Sequence, residues 1–326
     1  LVKIILSIRN FKPDLLLATG GGTVIDYAKI ANIVDEPFSD SSIIPTFIIS
    51  KLAASKVKVV LSGDGGDEIF MGYNRYSFAK KISNLKKKTP TFLRQFFAQG
   101  IRLVPSRLYD SFSRPFQKIL GIHGFSHKMT KLSNILEYEN NSDFYKKLNI
   151  FDNEILYNTL KDCKNIFDKY QGIDLIESVQ RNDIDYYLPN DILVKVDRAS
   201  MFNSLEVRSP FLSHKVVNKA FELPIEFKLR NKITKYILKD LLSEFLPKSF
   251  VNRPKMGFAI PIERWISNKK FRKTLDNIFN ESSWQEFGWN QEKVLKKWLD
   301  YKKYGSSTPQ SIWMYAMAGL WLNKWR

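Results

Sequence analysis

Apolar positions along the chain fall into two kinds of run. Val57, Val59, Val60 and Leu61 form a short β-branched stretch that breaks into Ser62-Gly63-Asp64-Gly65-Gly66, after which Asp67 and Glu68 lead an apolar segment. This order predicts a strand, a tight loop and a helix. Leu15–Ala18 repeats it, followed by Gly20, Gly21, Gly22 and a helix carrying Val24, Ala28 and Ile30. These are the two strong candidates for parallel strands. The rest reads as helix. Ser39, Asp40 and Ser41 are good caps for a helix running through Ala54, and Pro45 sits early enough in it to be tolerated. Residues 77–150 show aromatic and leucine faces punctuated by Pro90, Pro105, Pro115 and Gly121. Leu193, Val194, Val196, Met201 and Leu205 have no single-face period, which suits helices buried on several sides. Trp313, Met317, Leu320 and Trp321, at helical spacing, predict core packing. The expected fold class is α/β, predominantly helical.

Composition narrows the setting. With 326 residues and 44% apolar content the chain suits one large domain or two modest ones. It has no run of eighteen uncharged apolar residues and no signal-like opening, and its one cysteine, Cys163, allows no intrachain disulfide, so a reducing, cytoplasmic setting is expected. Net charge is +18, and residues 77–120 hold ten basic side chains against one acidic residue, Asp110. A solvated Lys-rich face is the first explanation; contact with an acidic or lipid-linked substrate or a peripheral membrane surface is the second, and nucleic acid is not expected. His123 and His127 lie four apart without a further Cys or His cluster, so they predict structural or surface roles.

The candidate chemistry concentrates on the second glycine turn. Gly63, Gly65 and Gly66 let backbone N–H groups converge on an anion, while Asp64, Asp67 and Glu68 would repel a bare phosphate unless Mg2+ or an amine stood between. A glycine turn whose acidic residues merely lead the next helix explains the same spacing. Lys195, Asp197, Arg198, Glu206 and Arg208, in an apolar setting, are either internal salt bridges or site residues. Lys255, beside Gly257 and between Pro254 and Pro261, is either an exposed loop lysine or part of a lid.

Ser62-Gly-Asp-Gly-Gly-Asp-Glu68, followed by Gly72-Tyr-Asn-Arg-Tyr76, resembles the signature of the synthetase domain of asparagine synthase (glutamine-hydrolysing). The resemblance continues from Asp35-Glu-Pro-Phe38 to the C-terminus, through Asp185–Leu212 and Asn252–Trp265, with Ser213 where relatives usually carry aspartate. It implies a doubly wound parallel sheet of the adenine-nucleotide alpha-hydrolase or ATP-pyrophosphatase type, here a remnant, with a large helical C-terminal part. It also implies ATP and Mg2+ as cofactors, a carboxylate adenylated and then attacked by ammonia, and aspartate or a related acid as substrate. By resemblance, Ser62, Gly63, Gly65, Gly66 and Glu68 line the adenylate, and Asp67 is the metal ligand. Asp64 orients or deprotonates the amine, and Lys255 offsets pyrophosphate charge from across the same cavity. The family's SGG-x-D-S loop occurs nowhere in the chain, and Leu1 stands where a glutaminase would lead with cysteine, so ammonia would come from a separate glutaminase or another source and the chain is expected to be impaired or inactive. Residues 1–33 resemble a fragment of iron-dependent alcohol dehydrogenases and dehydroquinate-synthase-like proteins. The expected layout is therefore a fragment of foreign origin over 1–33 and a synthetase domain over 34–326; NAD is not expected, since nothing downstream resembles that family's metal-binding half. Two other readings stay open: an amidotransferase for a sugar uronic acid in surface-polysaccharide assembly, and a non-catalytic fusion remnant.

Overall fold

The computed structural model describes residues 33–104, 108–109, 125–149, 166–253, 258, 260–281, 283–304 and 308–325. The strand candidate Leu15–Ala18, the Gly20–Gly22 turn, His123, Cys163 and Lys255 lie outside the described residues, as do Pro105, Pro115 and Gly121.

Two strands form the only parallel pairing among the described residues: β1, Val59–Leu61, and β2, Glu206–Arg208, with Val60 opposite Val207. β1 falls inside the run predicted as strand. β2 falls inside a stretch whose apolar pattern predicted helices, and its three residues are too few, with charged ends exposed, to show alternation in sequence. A second, antiparallel pair, β3 (Leu229–Arg230) and β4 (Ile233–Thr234), is joined by Asn231 and Lys232, both at positive φ (47° and 70°). That is the two-residue turn whose twist matches a hairpin.

Helices supply the rest. Asp40 accepts bonds from the Ser42 amide (2.9 Å) and hydroxyl (2.6 Å), which fixes the entry into the helix Ile43–Ala54, with Pro45 in its first turn. Helices Asn74–Lys88, Thr91–Leu103, Phe125–Leu136 and Asn141–Asn149 lie in the described parts of the region expected to be helical. Between Asp183 and Ile192 the backbone is π-helical and contains Pro189. Proline has no N–H to donate and its ring collides with the α-helical carbonyl one turn back, so the wider register accommodates it.

The largest core gathers Phe38, Ile43 and Ile44 with Ile266, Leu275, Phe279, Trp284, Trp298 and the helix Pro309–Trp325, whose Trp313 and Met317 are each 2% exposed. Leu320 and Trp321 pack against its edge. A second core joins Met71, Tyr76, Ala79 and Ile82 to Ile135, Phe144, Leu175 and Val179. A third, smaller one sets Ile69 and Phe70 against Ala220, Phe211 and Leu212, and so brackets the glycine turn. The molecule is thus α/β, mostly helical, with a small parallel sheet. No helix among the described residues is long and apolar enough to cross a membrane.

Candidate active site

β1 ends at Leu61, and the next amide, Ser62 N–H, donates to the Arg208 carbonyl at 2.9 Å, carrying the parallel ladder one step into the turn. Ser209 Oγ donates to the Asp64 carbonyl, which pins the loop to the chain after β2. Gly65 stands at φ +79°, and a Cβ there would come within 2.3 Å of Leu212 Cδ2. One at Gly66 would lie 3.1 Å from Phe211 Cδ2. Gly65 is therefore favoured by both its backbone and the approach of Leu212, while Gly66 leaves Phe211 the few tenths of an ångström that a Cβ would take. Gly63 differs, since no atom lies within 4 Å of where its Cβ would stand. Ser62 Oγ, next to it, is buried without a hydrogen-bond partner. The glycines expected to line the adenylate thus divide into a packed pair, Gly65 and Gly66, and an open one, Gly63, beside the buried hydroxyl of Ser62. Asp64 is half-buried between them.

The two acidic residues that open the short helix Gly66–Ile69 have separate environments. Glu68 is 1% exposed and accepts a 2.5 Å bond from the Tyr73 hydroxyl. Burial pushes its carboxyl above the usual range, and the Tyr73 bond only partly opposes that. Asp67 keeps a quarter of its side chain exposed, with Oδ1 at 3.1 Å from Lys235 Nζ. Gly72 makes room for this pair: a Cβ on it would fall 1.9 Å from Asp67 Oδ1 and 2.2 Å from Lys235 Cε. Lys235 itself adopts a left-handed backbone (φ 52°) immediately after β4, so the hairpin delivers its side chain to the turn.

Behind the turn, the Gly72-Tyr-Asn-Arg-Tyr76 stretch forms a buried network. The Arg75 guanidinium lies 4.3 Å from the Tyr73 ring centroid and 4.4 Å from that of Tyr187, and pairs with Asp183 at 3.1 Å. Asp183, fully buried, also accepts from Tyr76 (2.6 Å) and Tyr145 (2.7 Å). Burial raises its carboxyl, against the lowering effects of Arg75 and the two phenols. Gln180 Nε2 donates to the Glu68 and Ile69 carbonyls at 2.9 and 2.6 Å, which ties the same layer to the turn.

Beside this network stands an acidic pair around one lysine. Lys195 Nζ donates to Asp40 Oδ2 at 2.7 Å and Ser42 Oγ at 2.9 Å. Burial works to raise the Asp40 carboxyl, yet Lys195 overrides it and holds the group below the usual range. Asp191 goes the other way: burial and the neighbouring Asp40 charge push it up to about 7. Of the five charged residues singled out between 195 and 208, Lys195 is the buried bridge; Arg198 pairs with Asp35 at 2.8 Å and Arg208 with Glu206 at 2.7 Å, all on exposed positions. Asp197 stands 3.9 Å from Arg198.

Lys235, Gly72, Asp183 and Asp191 were not singled out from sequence. Of these, Gly72 carried a readable signal as a glycine shortly after a short helix; Lys235, beyond the strand that follows the Asn231-Lys232 turn, carried none. Asp183 and Asp191 sit in a mixed polar run without one.

An asparagine synthase family model matches residues 15–325, a span that begins within the segment read as foreign. The chain is 28% identical over 299 residues to asparagine synthetase [glutamine-hydrolyzing] 1 of Bacillus subtilis, covering 90% of this chain and 44% of that protein. It is 33% identical over 248 residues to a putative asparagine synthetase [glutamine-hydrolyzing] of Mycobacterium tuberculosis, with 73% and 35% covered. With a putative asparagine synthetase [glutamine-hydrolyzing] 2 of Methanocaldococcus jannaschii it shares 32% identity over 176 residues, 53% and 31% of the two chains. The chain therefore spans less than half the length of these relatives. No solved structure matches it.

Proposed function

The chain belongs to the asparagine synthase family, and on that basis we propose that it supplies the adenylate-holding part of an ATP-dependent, amide-forming ligase. A carboxylate does not yield to ammonia because oxide is not a leaving group. Attack of a carboxylate oxygen on the α-phosphorus of ATP expels pyrophosphate and leaves an acyl-adenylate. Ammonia then adds to the acyl carbon, AMP departs, and the surplus proton passes to a base. The protein's share is positioning and charge compensation.

One observation carries this reading: Ser62 Oγ is buried without a partner beside the open backbone at Gly63, at the end of a parallel strand. In α/β sheets that is where ligands sit. Ser62 and Gly63 take the phosphate side of the adenylate, while Gly65 and Gly66 hold the turn in shape against Leu212 and Phe211. Asp64 faces the incoming amine, and Glu68 contributes by fixing Tyr73. Lys255, in the Asn252–Trp265 stretch, offsets the charge of departing pyrophosphate. Mg2+ is compatible with Asp67, since this ion needs only one or two protein carboxylates beside phosphate oxygens, and a quarter of Asp67 remains exposed. When bound it would neutralise charge on the leaving pyrophosphate.

The small sheet belongs, in this reading, to a larger doubly wound one. Val59 and Leu61 of β1 are 42% and 67% exposed, and Ile49 and Leu52 of the preceding helix 47% and 48%. Parallel sheets are ordinarily covered on both faces. The substrate acid is aspartate or a close relative. Because SGG-x-D-S is absent from these residues, turnover by this chain alone is far below that of a full-length relative. Purified chain incubated with ATP, Mg2+, aspartate and ammonium, with pyrophosphate as readout, tests the activity. A thermal-shift series with ATP, aspartate and nucleotide-sugar uronic acids tests the site. If no nucleotide shifts the unfolding temperature, the adenylate assignment is wrong.

A further inference from the structure

The helix Thr91–Leu103 packs on its neighbours through a narrow stripe. Arg94 and Ala98 are buried and Ile101 half-buried, Arg94 donating to the Leu136 carbonyl at 3.2 Å. Every other residue of the helix is exposed. On the outward side Phe92, Phe96 and Leu103 follow one another at helical spacing, 66%, 69% and 82% exposed, with Phe97 alongside at 59%. Lys87 and Lys88 are exposed at the end of the preceding helix, just before this one in the chain. No Asp or Glu occurs between Asn74 and Val104. Three large aromatic side chains on water are costly for a soluble surface and need a partner; Glu137, a carboxylate that meets this helix, is paired with its Arg102.

We propose that this helix lies flat on a bilayer containing anionic lipid, with Phe92, Phe96, Phe97 and Leu103 inserted at the headgroup boundary and Lys87 and Lys88 on the lipid phosphates. An exposed apolar helix face that follows a run of lysines is the form of an interfacial helix, and its length of about 20 Å allows it to lie in the membrane plane. A second copy of this chain fits worse, because pairing the faces would bring two lysine runs together in a protein of net charge +18.

The full chain, sedimented with phosphatidylcholine vesicles with and without 30% (roughly) phosphatidylglycerol, is expected to bind the anionic vesicles at least about tenfold more tightly. Phe92→Ser with Phe96→Ser should reduce that binding about tenfold or more while far-ultraviolet circular dichroism stays unchanged. Hydrogen exchange gives a second readout that needs no variant: amides 91–103 should slow several-fold on anionic vesicles. Absence of vesicle binding, binding indifferent to both phenylalanines, protection confined to other segments, or concentration-dependent self-association through this helix would each overturn the proposal.

Discussion

Lys235 Nζ stands 3.1 Å from Asp67 Oδ1, across a gap that exists because residue 72 is glycine. Gly72→Ala would put a methyl group 1.9 Å from that carboxylate oxygen. Both groups are the ends of flexible, partly exposed side chains that can turn aside, so the substitution should break the pair and cost about 1 kcal/mol or less, read by urea denaturation. Lys235→Met should leave stability nearly unchanged, since a pair exposed by a quarter at both ends is worth little. A loss well above about 1 kcal/mol in Lys235→Met would show that the ion pair holds the turn.

Gly63 and Gly65 should separate folding from binding. Gly65→Ala combines a left-handed backbone with a 2.3 Å approach to Leu212, and a loss of about 2–4 kcal/mol is expected. Gly63→Ala meets nothing and should melt within about half a kcal/mol of the parent. Its ATP-induced thermal shift should nevertheless shrink, because the added methyl occupies the open side of the turn. A full nucleotide response in Gly63→Ala would place the phosphates elsewhere.

Asp183→Ala removes the carboxylate that Arg75, Tyr76 and Tyr145 share. Breaking a buried pair on one side strands the other charge, so a loss of about 3–5 kcal/mol is expected from chemical denaturation. Tyr145→Phe removes one of three partners and should cost about 1 kcal/mol.

Asp191 makes stability fall as pH rises. Its carboxyl is pushed up to about 7, chiefly by burial and then by the Asp40 charge. Between the ordinary carboxylate range and pH 7 the folded state holds a proton that the unfolded chain has released, so its stabilising effect is complete below about pH 4 and lost through about pH 7. The contribution should be about 1–3 kcal/mol, and Asp191→Asn should flatten the profile across that window in denaturation curves taken from pH 5 to 8.

Legibility in sequence followed the range of the interactions. The glycine turn and the C-terminal helix with Trp313 and Met317 are local features, and a periodicity or a residue type announces each of them; the helix after Asp40 is capped instead at Ser42, without a side-chain bond, and Asp40 holds the turn before it. β2 is not local: its Glu-Val-Arg is a strand because β1 lies beside it, and nothing in those three residues says so. The same holds at the site. Asp67 and Glu68 are adjacent and chemically alike in sequence, yet one meets Lys235 at the surface and the other is buried beneath Tyr73, a division made by a hairpin more than 160 residues away. Gly65 and Gly66 were readable as glycines that something must approach closely; that Phe211 and Leu212 do so required the fold.

Val59 and Glu206 are pairing partners from opposite ends of a helical crossover of about 150 residues. Contacts between such distant parts of a chain form slowly, since a large loop must close before they yield anything. During synthesis the ribosome will have released every helix from Asn74 to Met201 before the turn at Ser62 can acquire its second wall. The packed shape of the turn is consequently a latecomer to the folding sequence, and any truncation upstream of Leu212 leaves Gly65 and Gly66 without the side chains that approach them.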